Sequence, residues 1–195
     1  MEKLIDMHTH TNYSDGELSL EELIQLAISK NIKALAITDH NTIEEIKTIN
    51  RNSSLIINSG INIINGIELS AKVDQGTMHI LGYNIDIKNT TLNEKLLTLK
   101  DNSINSILSI LEQLKRDYDI VLGYEDIKEL INTNHNLGRI DIAKLCIKYG
   151  YASNIKDAFN KYLISAYNKT RDMKKRNYQE CLELIRNSGG IPVLD

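Results

Sequence analysis

Between residues 3 and 85 the spacing of apolar residues switches back and forth between the period of two of a strand and the period of about 3.6 of a helix, a rhythm that confines the chain to folds layering helices on a sheet. Lys3 to His8 reads as a strand, and Leu20, Leu23, Ile24, Ala27 and Ile28 then mark one face of a helix. Ser19 with Glu22 forms a capping-box signature at that helix start. A second strand, Lys33 to Thr38, leads into a helix opening near Asn41 or Thr42, where Glu45 offers a second capping box. Two further apolar segments, Asn62 to Ser70 and Thr77 to Ile85, flank a turn at Asp74-Gln75-Gly76 and should extend the same sheet. Strands alternating with helices favour a mostly parallel sheet or barrel, in which functional groups gather at the carboxyl ends of the strands.

From about Leu92 to Asn187 the texture changes to helix after helix. Ile104, Ile107, Leu108, Leu111 and Leu114 form one apolar stripe, and Ile155, Ala158, Phe159, Tyr162 and Leu163 form another. The organisation expected is therefore an α/β part made of residues 1–90 and 188–195, with residues 91–187 as an all-α insertion or cap. The last segment, Gly189-Gly190-Ile191-Pro192-Val193-Leu194, starts a fresh strand after a helix that ends in glycines.

Composition narrows the function classes. A net charge of -3 gives no general pull toward nucleic acid, so any such contact must be local. Cys146 and Cys181 belong to no C-x-x-C pair or disulfide framework, and no stretch has the character of a signal peptide or a membrane span, which places the expected protein in the cytoplasm. The one dense basic stretch, Lys169, Arg171, Lys174, Lys175 and Arg176, reads first as a solvated helix surface and second as a local guide for an anionic substrate.

Four of the five histidines fall at strand ends. His8 and His10, two apart at the end of a strand, point to one face and can converge on one cation. Asp15 follows in Tyr13-Ser14-Asp15-Gly16, His40 in Ile37-Thr38-Asp39-His40, Glu68 in Gly66-Ile67-Glu68 and His79 in Met78-His79-Ile80. Singly, each has an ordinary explanation, because an Asp-Gly pair is usually a turn and a lone sheet histidine usually pairs with a neighbour. Together they read as a metal cluster, with neutral imidazoles and carboxylates suited to Zn, Mn or Fe and a carboxylate able to bridge two ions. Six donors are too many for one tetrahedral ion. His135, in the polar segment Asn134-His135-Asn136, reads as solvent-exposed.

His8-Thr9-His10, Ser14-Asp15-Gly16, Ile37-Thr38-Asp39-His40, Gly66-Ile67-Glu68 and His79-Ile80-Leu81-Gly82-Tyr83 resemble, in order, spacing and placement, the successive motifs of the PHP (polymerase and histidinol phosphatase) superfamily. The resemblance extends through the helical block, which is similar to the insertion of the metal-dependent phosphoesterase branch. It implies a distorted (β/α)7 barrel, incomplete in this chain, with up to three divalent ions at its carboxyl face. By motif, His8, His10 and Glu68 would hold one ion, Glu68 as bridge with His79 a second, and Asp15 with His40 a third. Asp39 would orient a ligand from behind. Where the family reads Val-Leu-Ala-His-Pro, this chain reads Val193-Leu194-Asp195, so it is expected to be a C-terminally shortened form lacking three family ligands.

The resemblance also implies chemistry. The ions lower the pKa of a bridging water and clamp phosphoryl oxygens, so phosphate esters are hydrolysed by metal-bound hydroxide without a protein nucleophile. Gly138-Arg139-Ile140-Asp141-Ile142-Ala143 resembles a family segment reading Arg-Pro-His-Ile-Ala, which makes Arg139 a candidate contact to substrate phosphate and leaves Asp141 where the family has histidine. Arg139 covering a helix surface is the plain alternative. The expected substrate is a small phosphorylated molecule, a nucleotide such as a 3′,5′-bisphosphorylated nucleoside or a short oligonucleotide trimmed from its 5′ end. A non-catalytic metal-binding or assembly module is the alternative function, and the oligomeric state stays open.

Overall fold

The computed structural model of the chain describes residues 4–49, 54, 57–58, 60–72, 77–132, 137–170 and 177–195. The turn expected at Asp74-Gln75-Gly76, His135, and the basic residues Arg171, Lys174, Lys175 and Arg176 lie outside the described residues. In chain order the elements are β1 (Leu4–Thr9), α1 (Leu20–Ser29), β2 (Ile32–Ile37), α2 (Glu44–Ile49), β3 (Asn62–Lys72), β4 (Thr77–Tyr83), α3 (Thr90–Tyr118), α4 (Tyr124–Ile131), α5 (Arg139–Lys148), α6 (Ile155–Ala158), a π-helical turn (Phe159–Leu163), α7 (Ile164–Thr170), α8 (Tyr178–Asn187) and β5 (Ile191–Leu194). They divide into two compact units, one of Met1–Leu97 with Lys175–Asp195 and one of Thr98–Lys174, the division falling inside α3 and ahead of α8.

The first unit is an α/β structure around a five-stranded sheet in the order β1-β2-β3-β4-β5. β1, β2 and β3 are parallel neighbours, as strand–helix–strand connections require, whereas β3 with β4 and β4 with β5 pair antiparallel. The expectation of a mostly parallel sheet is thus corrected at its second half. Only four residues separate Lys72 from Thr77, and a parallel return needs a crossover of about a dozen residues or more, so a hairpin is the one arrangement available.

Local signals explain the helices. Ser19 Oγ accepts from the Glu22 backbone N–H at 3.4 Å while the Glu22 carboxylate accepts from the Ser19 N–H at 2.8 Å, a reciprocal cap that satisfies two orphan donors of α1. Leu20, Leu23, Ile24 and Ala27 are buried against Leu35, Ile37 and Ile46. Ile28, also expected on that face, is 50% exposed, since at 100° per residue it lies about 90° from the centre of the stripe. The second capping box does not form: Thr42 Oγ1 accepts from the Glu44 N–H, and the Glu45 carboxylate is turned to the Leu20 backbone N–H and the Tyr13 hydroxyl. Burial and neighbouring acids push that carboxyl above its usual range despite those two partners. α8 lies on β3, β4 and β5, and Gly82 is what lets it approach, because a Cβ there would stand 2.9 Å from Ile185 Cγ1.

Among its described residues the second unit has helices and no strand, with a core of Ile107, Ile110 and Leu114 from α3, Ile142, Ala143 and Cys146 from α5, and Ala158, Leu163 and Ala166 beyond. Leu108 and Ile155, both placed on apolar stripes by the sequence, are 41% exposed in each case, while Ile110, left off the stripe, is 1% exposed. The π-helical turn at Phe159–Leu163 adds a residue to one turn, which shifts the face presented after it. Replacing Ser19 by Ala should lower unfolding stability by about 1 kcal/mol, read as a lower urea midpoint at unchanged m-value, with no midpoint change counting against the cap.

Candidate metal centre

The backbone brings three strand ends side by side. Thr9 Oγ1 donates to the Ala36 carbonyl at 2.6 Å, and the Thr38 N–H donates to the Thr9 carbonyl at 2.9 Å, so the end of β1 is tied to the end of β2. Past β2 an isolated parallel bridge joins His40 to Glu68, made by the Asn41 N–H to the Glu68 carbonyl at 2.8 Å and the Glu68 N–H to the Asp39 carbonyl at 3.1 Å. Asn41 takes the left-handed conformation at φ 53°, which Asn tolerates, and its side-chain oxygen accepts from the Ser70 N–H. Across β3 and β4 the register sets Ser70 opposite His79 and Glu68 opposite Leu81. Glu68 and His79 are therefore diagonal neighbours on one face.

The result is a carboxylate enclosed by imidazoles. Glu68 is 1% exposed. Its Oε2 lies 3.1 Å from His8 Nε2, 3.2 Å from His10 Nε2 and 3.4 Å from His40 Nδ1, and its Oε1 lies 2.7 Å from His79 Nδ1. Asp15 joins the other side, with Oδ1 3.2 Å from His10 Nδ1 and Oδ2 3.5 Å from His40 Nε2. All six side chains named from the sequence thus converge. Distance sorts them into three sets of mutually close donors, His8, His10 and Glu68; His10, Asp15 and His40; and His40, Glu68 and His79, so that His10, His40 and Glu68 each serve two sets.

Protons alone do not satisfy this arrangement. One carboxylate oxygen offers two lone pairs, yet Glu68 Oε2 faces three ring nitrogens. His40 Nδ1 is buried and makes no hydrogen bond although it lies 3.4 Å from that oxygen, an orphan of the kind folded proteins seldom keep. Successive rings lie 5.0, 4.8 and 4.8 Å apart along the series His8, His10, His40, His79, too close for all to carry charge cheaply. Bare imidazole nitrogens and carboxylate oxygens facing inward are the donor set of divalent metal ions, and the residues present fit such ions.

Charge is distributed unevenly within the cluster. Burial alone would raise the Glu68 carboxyl, but hydrogen bonding from His10 and His8 and the positive fields of His40 and His79 bring it down to about 2. For His10, burial works downward and is overcome by the bond to Glu68 and the charges of Asp15, Glu68 and Asp39, leaving it raised. His40 goes the other way, because burial, helped by His10 and His79, outweighs Glu68 and Asp15. Burial first, then the charges of Asp195 and Glu68, push the Tyr83 hydroxyl up.

Asp39 is 2% exposed. Its carboxylate accepts from the Thr11 N–H and Thr11 hydroxyl, both at 2.7 Å, and from the Ser14 hydroxyl at 2.6 Å, so it fastens the turn that carries Asp15. Ser14 Oγ also stands 3.4 Å from His10 Nδ1. That turn needs Gly16, where a Cβ would lie only 2.3 Å from the His10 carbonyl oxygen. Ser14, Thr11 and Asn41 build the site without being donors, and their one mark in the sequence is adjacency to Asp15, His10 and His40. Asp195 carries no such mark, yet its Oδ1 lies 3.2 Å from His8 Nδ1.

Arg139 opens α5 in the helical unit, its guanidinium carbon 4.3 Å from the Tyr167 ring centroid and 5.5 Å from that of Phe159, a stacked pose on two aromatic faces. The Asp141 carboxylate accepts from the Gly138 N–H. Lys169 of the basic stretch pairs with Asp117. Cys146 and Cys181 are buried in helices, and burial raises the Cys146 thiol. Among the described residues no helix is long and apolar enough to cross a membrane.

Residues 6–191 match the sequence profile of the PHP domain. The chain is 30% identical over 195 residues to the 5′-3′ exoribonuclease Rnm of Escherichia coli (strain K12), covering 98% of this chain and 64% of that protein. It is 24% identical to the 3′,5′-nucleoside bisphosphate phosphatase of Chromobacterium violaceum, covering 97% of this chain and 65% of that protein. It therefore spans somewhat less than two thirds of the length of these relatives. In fold it is similar to a crystal structure from Bifidobacterium adolescentis, with a TM-score of 0.81 at 22% identity covering 98% and 66% of the two chains. An amidohydrolase from Chromobacterium violaceum with bound sulfate and no metal gives a TM-score of 0.80 at 23% identity, covering 97% and 66%.

Because the folded-state Glu68 carboxyl lies at about 2 rather than 4.5, its ionised form stabilises the metal-free protein fully above pH 4.5. That contribution should be lost as pH falls from 4.5 toward 2, so urea midpoints of metal-free wild type and Glu68→Gln should converge over that interval. Midpoints that stay a constant distance apart would contradict the assignment.

Proposed function

The chain belongs to the PHP domain family, and from that membership and its donor cluster we propose that it is a metal-dependent phosphoesterase acting on nucleotides or short oligonucleotides. The observation that carries the reading is the buried Glu68 carboxylate ringed by His8, His10, His40 and His79, with Asp15 closing the other side. The relatives support the substrate class, since one is named for RNA and another for a bisphosphorylated nucleoside. The reading includes a distorted (β/α)7 barrel carrying the all-α part as an insertion, and a cytoplasmic location supported by two cysteines outside any disulfide pattern.

In this reading His8, His10 and Glu68 would hold one ion, Glu68, shared as a bridge, with His79 a second, and Asp15 with His40 a third. Divalent ions such as Mn, Zn or Fe, when bound there, make water nucleophilic at neutral pH and neutralise the phosphoryl oxygens. The chain's own residues supply the frame. Glu68 keeps its negative charge at all physiological pH, so neighbouring sites can share one carboxylate. Asp39 holds Thr11 and Ser14, and through that turn fixes the distance of Asp15 from His10 and His40. The raised His10 means that protons compete more strongly with ions for its nitrogen, so ion binding weakens on acidification. No side chain is asked to act as nucleophile. Arg139, whose guanidinium lies over the Tyr167 ring, is the proposed bidentate contact to a substrate phosphate.

Two outcomes are expected. Glu68→Gln should lose more than one equivalent of bound Mn²⁺, and a loss confined to one ion, or none, would refute its bridging place. The full-length protein with Mn²⁺ should release phosphate from a 3′,5′-bisphosphorylated nucleoside or shorten a 5′-phosphorylated oligonucleotide, with chelation abolishing turnover and Arg139→Ala raising KM more than it lowers kcat. Absence of turnover on phosphomonoesters, nucleotides and oligonucleotides alike would overturn the function.

A further inference from the structure

Resting on the metal-centre reading above, we propose that Asp195 is a positioning residue that holds the proton of His8 on Nδ1 and so leaves Nε2 bare for an ion. Each neutral imidazole has one N–H and one lone pair, and which nitrogen keeps the proton is decided by what stands opposite it. His8 presents Nε2 to Glu68 Oε2 at 3.1 Å and Nδ1 to Asp195 Oδ1 at 3.2 Å, so the two carboxylates sit on opposite edges of one ring. The Asp195 oxygen lies on the edge turned away from Glu68 and belongs to none of the three donor sets, which makes it a partner of the ligand rather than a ligand.

The placement is built by the sheet. β5 pairs antiparallel with β4 through Leu194 opposite Ile80, and one step further the Asp195 N–H donates to the His79 carbonyl at 3.3 Å. Residues opposite each other on antiparallel strands project to the same face, so Asp195 shares the face of His79, and that face is the one bearing the cluster. His10 is arranged likewise, with Nε2 toward Glu68 and with Asp15 and Ser14 at its opposite, Nδ1 edge. His8, with its side chain 35% exposed, is not forced into one tautomer by burial, and the far-side carboxylate supplies that choice. Such a carboxylate also makes the metal-facing nitrogen a stronger donor, and losing one typically costs about 10- to 100-fold in metal affinity.

The test compares wild type, Asp195→Ala and Asp195→Asn, all checked for folding by circular dichroism. Long-range ¹H–¹⁵N spectra of the metal-free proteins in mildly alkaline buffer, with His8 assigned through His8→Gln, should show His8 protonated on Nδ1 in wild type. Asp195→Ala should shift it toward the Nε2–H form that free imidazole side chains favour, and Asp195→Asn, whose amide oxygen still accepts, should fall between. Mn²⁺ titration should show affinity reduced about 10- to 100-fold in Asp195→Ala and less in Asp195→Asn. An unchanged tautomer, or a changed tautomer with unchanged affinity, overturns the proposal. Should Asp195→Ala fail to fold, the same two readouts on Asp195→Asn decide. Wild type that binds no Mn²⁺ would refute the metal-centre reading, while the tautomer comparison would still decide whether Asp195 holds His8.

Discussion

Glu68 brings a charge to a place that is 1% exposed, and everything around it is arranged so that this charge can stay there. A buried, unpartnered carboxylate would cost several kcal/mol or take up a proton. Here nitrogens from β1, its following turn, the segment after β2, and β4 lie 2.7 to 3.4 Å from its oxygens. The carboxylate therefore ties four stretches of chain to β3 at once. Its depressed titration and the raised His10 are two sides of one attraction, and the lowered His40 marks where burial and crowding by other imidazoles exceed it. Divergent titration among touching groups is a property of sites built to bind, and here it coincides with the donor geometry.

The support beneath the cluster is hydrogen-bonded rather than apolar. The Thr38 hydroxyl accepts from the Thr9 N–H and donates to the Thr9 carbonyl while the Thr9 hydroxyl donates to the Ala36 carbonyl, Asp39 gathers three donors from the turn before Asp15, and Asn41 joins His40 to β3. Thr9, Thr11, Thr38 and Asp39 are buried and partnered, so they restrict movement where a metal-ligand geometry tolerates little error. Apolar packing acts one layer out, where α1 covers β2 through Leu20, Leu23, Ile24 and Ala27 and α8 covers Gly82 through Ile185.

Much of this could be read from the sequence because it depends on short-range pattern. Period-two runs located β1 to β4 to within about two residues, the glycine pair placed β5, and Ser19 with Glu22 marked the start of α1. The six donors were visible because strand ends collect functional groups and the donors stand at those ends. What the sequence could not carry was long-range. The antiparallel second half of the sheet follows from pairing partners rather than from apolar period, and Glu45 left its expected cap for Leu20 and Tyr13, distant in the chain. Leu108, Ile110 and Ile155 depart from the stripes that spacing predicts because stripe edges depend on which neighbour arrives, and a π-helical turn leaves no mark in apolar spacing. Asp195 met His8 only through the register of β5 on β4.

The positions of the donors also set an order in time. His8, His10, Asp15, His40, Glu68 and His79 all precede the helical unit Thr98–Lys174, so a ribosome has delivered these six donors before it makes the first residue of that unit. β5 follows that unit, bringing Asp195 to an edge formed by β4. The six donors are thus made ahead of the helical unit, and the partner of His8 after it.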